Sequence, residues 1–161
     1  MQTKAAIAQQ WLERALRTYS GQSAAFLAGE QDAFRNPIGH TLRNSLAILV
    51  DELLLGMDAA RVEAALDPLI QIRAVEDCTP GRALEFLFQL KPILREHASG
   101  LDLELLNARI DEMVLVAFNL YLKYRERTFE ARANEARRRV FVLERRLRPL
   151  DPAAWRERGA S

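Results

Sequence analysis

The chain is poor in the residues that most often carry chemistry: it has one cysteine and two histidines among 161 residues. A lone Cys78 excludes an intrachain disulfide framework and any multi-cysteine metal site. It reads as a small, buried or half-buried filler. Two histidines and one cysteine make no zinc set. Neither a phosphate-cradling glycine loop nor a nucleophile elbow occurs. The carboxylate pairs Asp51-Glu52, Glu76-Asp77 and Asp111-Glu112 are sequence neighbours. Neighbours diverge on a helix, so these pairs read as solvated faces rather than acid–base machinery. No enzyme is expected.

Long apolar runs are also missing. None approaches the roughly 20 residues needed to cross a bilayer, and mean hydropathy is slightly negative. The opening MQTKAAIAQQWLERAL carries charges inside its apolar pattern and has no cleavage signal. A soluble, cytoplasmic protein with no membrane span is expected. Alternating β-branched runs are absent, so strands are not expected.

The chain does have enough apolar material for one ordinary core, at 49% hydrophobic. Its periodicity is helical. Residues 3–19 form a first helix, with Ala8, Trp11, Leu12, Ala15, Leu16 and Tyr19 on one stripe and Ser20-Gly21 as its end. A short helix over 23–28 follows. Asn36-Pro37 is a cap and first-turn pair, with Thr41 after a Gly39 bend as the alternative start. Leu42, Leu46, Leu49, Val50 and Leu53 line the next helix, which Gly56 closes. Asp58 caps a short helix over 59–66, and Asp67-Pro68 restarts the chain. Thr79-Pro80 opens an apolar helix over 81–97 that Pro92 kinks or breaks. Seven or eight helices, several short and sharply restarted, describe an all-α domain with crossed, globin-like packing.

The last third has a different character. From 101 to 148 there is neither glycine nor proline. As one helix that stretch is roughly 70 Å long, against about 40 Å for a compact domain of this size. The expectation is therefore a globin-like domain over 1–122, whose last helix starts near 101. That helix continues over 123–150 as a projecting coiled-coil stalk, with a polar tail over 151–161. Phe129, Ala133, Ala136, Val140, Leu143 and Leu147 recur at alternating steps of four and three, which is a heptad seam. With Ala133, Val140 and Leu147 at a, and Phe129, Ala136 and Leu143 at d, the seam suits two parallel strands. Its two alanines make it weak. Folding back onto its own chain is the alternative.

Charge divides the same way. Net charge is +1, yet residues 123–161 hold 12 Lys/Arg and 6 Asp/Glu, and residues 1–122 hold 11 and 16. A basic helix invites an acidic protein partner. Six interspersed acids and few aromatics argue against nucleic acid. His97, near the end of an apolar helix, is the one candidate haem ligand, but a histidine there equally suits the helix dipole. Otherwise no cofactor is expected. Arg73, in the apolar string IQIRAVED, reads as a structural ion pair with Glu76 or Asp77.

The strings DAFRNPIGHTLRNSLAILVDELLLG and LIQIRAVEDCTPGRALEFLFQLKPILRE, with Trp11 and Tyr19 ahead of them, resemble the N-terminal domain family of the RsbT co-antagonist protein RsbRD. The likeness covers about residues 5–122. It implies a non-haem globin-like sensor domain of stressosome type, which dimerises and connects through a helix to a phosphorylatable STAS domain. This sequence ends about where that domain would begin. Asn36, Pro37, Gly39, His40 and Arg73 lie in the matching motifs, in structural roles or lining a ligand pocket. The function this implies is non-enzymatic signalling in a stress response, acting as a homodimer and through a protein partner. A small-ligand or haem-binding sensor is the alternative.

Overall fold

The computed structural model describes residues 2–18, 36–75, 78–97 and 100–147. Six helices occur among them: α1 (Gln2–Arg17), α2 (Pro37–Leu55), α3 (Ala59–Val75), α4 (Pro80–Phe88), α5 (Leu90–His97) and α6 (Leu103–Leu147). The described residues contain no strand, and the fold is all-α. The expected helix over 23–28, the Ser20-Gly21 end, Glu76-Asp77 and the tail over 151–161 lie outside the described residues. The chain divides into two units, Met1–Arg125 and Glu126–Ser161.

The first unit holds the core. α1 packs on α2, α4 and α5; α3 packs on α2 and α4; α4 packs on α5. Trp11, from α1, is fully buried, lies stacked on Phe86 and donates its indole N–H to the Phe86 carbonyl at 2.7 Å. That bond matters because an indole N–H left dry and unpaired costs about 1–3 kcal/mol. The α2 stripe reads as expected: Leu42, Leu46, Leu49, Val50 and Leu53 are all buried.

One proline expectation is corrected and one is met. Asp67-Pro68 does not restart the chain, for α3 runs unbroken with Pro68 inside it. Val62, Ala65 and Leu66 before the proline, and Leu69, Ile70 and Ala74 after it, are buried together. Keeping that one face on the core outweighs the single backbone hydrogen bond that proline forfeits. Pro92 does break the expected helix over 81–97, into α4 and α5. The chain turns at Gln89, and Pro92 falls in the first turn of α5. The first-turn N–H groups have no intrahelical acceptor, so proline forfeits nothing there.

α6 opens where Asp102 Oδ1 accepts from Leu105 N at 3.1 Å, an N-cap. Within the first unit it buries Leu106, Ile110, Met113, Ala117, Leu120 and Tyr121. Tyr121 Oη donates to the Cys78 carbonyl at 2.8 Å, and Tyr124 Oη to Asp67 Oδ1 at 2.7 Å. No described helix is long and apolar enough to cross a membrane.

Candidate functional site

The motif Asn36-Pro37-Ile38-Gly39-His40 builds the start of α2. Asn36 is buried and is the N-cap, and its Oδ1 accepts from Gly39 N at 2.8 Å. Pro37 takes the first helical position, where its missing N–H costs nothing. Gly39 is required by space. A Cβ there would stand 2.7 Å from Asn36 Cγ, inside the capping side chain itself. His40 N closes the turn on Asn36 O at 3.0 Å, while the His40 ring is exposed and accepts from Asn44 Nδ2 at 2.9 Å.

His40 also borders a groove between α2 and α3. Thr41, Asn44, Ser45 and Ile48 line it from α2, and Arg61, Ala64 and Ala65 from α3, around about 340 Å³ of open space. Asn36, Pro37, Gly39 and Arg73 are not in this lining. The motif residues are thus divided among a cap, a groove wall and a core position.

Arg73 is the core position. Its side chain is buried, donates to Thr18 Oγ1 at 2.5 Å and lies 5.6 Å over the Phe86 ring. Its carbonyl receives the Cys78 thiol at 3.5 Å. The arginine therefore ties the end of α3 to the end of α1 through a charged group held over an aromatic face. The carboxylates expected beside it, Glu76 and Asp77, are outside the described residues.

His97 takes part in a different chain of bonds. Its Nε2 donates to Gln10 Oε1 at 2.5 Å, and Gln10 Nε2 donates to Glu96 Oε2 at 2.6 Å. Arg14 adds an ion pair to Glu96 at 3.2 Å. The Gln10 hydrogen bond is the main reason the Glu96 carboxyl is held below the usual carboxylate range, helped by Arg14 and by the charge of His97 and opposed by some loss of hydration. The nitrogen that would ligate a haem iron is thus committed to a bond between α5 and α1.

Glu52 was hidden from sequence reading, which took Asp51-Glu52 for a solvated pair. Asp51 pairs with Lys4, but Glu52 is buried. Its carboxylate accepts from Asp58 N at 3.0 Å and pairs with Arg61 at 2.7 Å. Its carbonyl accepts from Gly56 N and Met57 N, so one residue fastens the whole α2–α3 connection. The available signal was its spacing: Glu52 lies seven residues beyond Ser45 and three beyond Leu49, on the buried stripe. No group of three or more potential metal-binding side chains occurs among the described residues.

In the second unit every described residue from 129 to 147 is exposed. Val140, Leu143 and Leu147 are 53%, 55% and 78% exposed, and Phe129 is 56% exposed. Arg139 pairs with Glu135 along the same helix at 3.0 Å.

A family model described as the RsbT co-antagonist protein rsbRD N-terminal domain matches residues 5–136. The match extends past the limit of 122 read from the motifs. No curated protein and no solved structure matches the chain.

Proposed function

The chain belongs to the RsbT co-antagonist protein rsbRD N-terminal domain family, and from that membership we propose a non-enzymatic signalling domain that works by pairing with a second copy and by binding a partner protein. The family places the chain among stressosome-related signalling domains. Pairing and partner binding are the finer reading. One observation carries it: Val140, Leu143 and Leu147 stand exposed at heptad spacing on α6. Apolar side chains repeated at that spacing are covered by another helix in the paired state. The alanines in the seam keep the pairing weak, so its occupancy responds to small changes elsewhere. Exposed Arg132, Arg137, Arg138, Arg145 and Arg146 on the same segment suit an acidic partner surface.

Light scattering on the double variant Leu143→Asp/Leu147→Asp tests the pairing. The native chain should have dimer mass at tens of micromolar and the variant monomer mass. A native chain that is already a monomer there overturns the reading. Co-purification from the native cell tests the partner, with retention expected to fall as salt rises.

The groove beside His40 supports a second reading, a small-ligand sensor. Native mass spectrometry of freshly purified protein would show a retained ligand as added mass, and Ile48→Trp should then abolish it.

A further inference from the structure

The groove between α2 and α3 is lined by five polar side chains, and none of them is a carboxylate. Each can donate a hydrogen bond. Two are hydroxyls that the fold leaves unused. Ser45 is only 5% exposed, and neither its hydroxyl nor that of Thr41 has a hydrogen-bond partner among the described residues. A helical serine or threonine often spends its hydroxyl on the carbonyl one turn back. These two do not. A buried polar group without a partner costs free energy unless something else reaches it, and here the open side is the groove.

The polar groups fall at two ends. Arg61 is held at one end by Glu52, whose Oε1 pairs with the Arg61 Nε at 2.7 Å while its Oε2 accepts from Asp58 N. Glu52 lies seven residues beyond Ser45 on the same face of α2, roughly 10 Å along the axis at about 1.5 Å per residue. A guanidinium has N–H donors to spare after one carboxylate contact at Nε. Thr41, Asn44 and Ser45 make the other end, within a turn of one another. Between the ends the walls are apolar. Ile48 stands there, 38% exposed, and faces Ala64 and Ala65, whose short side chains leave the space open.

Each part suits a different portion of a ligand. A fork of N–H donors suits a carboxylate. An apolar middle suits methylene groups. Hydroxyls and an amide suit a hydroxyl, which donates and accepts. A dianion is matched less well, because Arg61 is the one permanently charged side chain in the lining and Glu52 already offsets part of its charge. We infer that the groove binds a small aliphatic hydroxy carboxylate, with its carboxylate on Arg61 and its hydroxyl on Ser45. The inference rests on the small-ligand reading above and names the ligand class. Glu52 is a positioning residue, which fixes the guanidinium without touching the ligand.

Amide chemical shifts of the exhaustively dialysed full chain test this, with 6-hydroxyhexanoate, hexanoate, 1,6-hexanediol and inorganic phosphate as probes. The hydroxy acid should shift the amides of 40–48 and 61–65 saturably. Hexanoate should bind about tenfold more weakly and the diol not measurably. Ser45→Ala should reduce the hydroxy acid to the level of hexanoate while the urea midpoint does not fall, because the hydroxyl it removes has no partner in the fold. A fall in the midpoint would give Ser45 a structural role and overturn its assignment. Binding of the diol as tight as that of the hydroxy acid, or tighter binding of phosphate, overturns the carboxylate class and leaves a small-ligand groove standing. Shifts confined to other parts of the chain overturn the site. No shift with any probe overturns the ligand class; no added mass in native mass spectrometry besides overturns the small-ligand reading with it.

Discussion

At the scale of single residues, the clearest constraint is the start of α2. Gly39 has no room for a side chain because Asn36 turns back over it to cap the helix. Gly39→Ala must displace that cap, and a lost cap costs about 0.5–2 kcal/mol. Urea unfolding should show this loss. Asn36→Ala added to Gly39→Ala should cost little more, since both remove the same bond. Glu96 gives a pH-dependent case. Its folded pKa is depressed, first by Gln10 and then by Arg14 and His97. A depressed carboxylate contributes stability that is present above its unfolded pKa and lost as pH falls through its folded pKa. Glu96→Gln should therefore be less stable than the native chain near neutrality. The gap should close in acid below the usual carboxylate range, as read by urea midpoints across pH. Asn36-Pro37 was legible as a cap because capping is local chemistry. Glu52 was not, because its partners arrive from a turn and from another helix.

At the scale of elements, local signals mark starts better than stops. Asp58, Thr79 and Asp102 each precede a helix and each accepts from a backbone N–H three residues on. Pro68 gave the wrong answer because the buried stripe on both sides of it belongs to one packing face. Burial is a property of the neighbours and is only partly written in the local sequence. The same structure makes a prediction. With α3 continuous, Pro68→Ala restores an N–H inside a helix and removes a ring clash, a gain of about 1–3 kcal/mol. Greater freedom of the unfolded chain returns about 0.4–1 kcal/mol of it. A net rise in the urea midpoint is expected; a fall would mean that the ring itself packs usefully. In α6, the seam over 129–147 was legible from spacing. Which apolar row of α6 faces the core was not, because only burial separates Leu106, Ile110, Met113, Ala117 and Leu120 from the exposed Leu105, Leu115 and Leu122.

At the scale of the whole molecule, stability and association are linked. A chain that pairs only when folded has a Tm that rises with its own concentration. That rise is expected for the native protein and should vanish in Leu143→Asp/Leu147→Asp, as followed by differential scanning calorimetry over a hundredfold range of concentration. A Tm independent of concentration in the native chain would count against pairing. The Tyr121 and Tyr124 hydroxyls bear on what such pairing transmits. They leave α6 for two different anchors, the backbone at Cys78 and the carboxylate of Asp67. Inside the first unit α6 is thus a keyed shaft rather than a free axle: any torque applied to it must either carry α3 and the backbone at Cys78 with it or shear two phenol bonds.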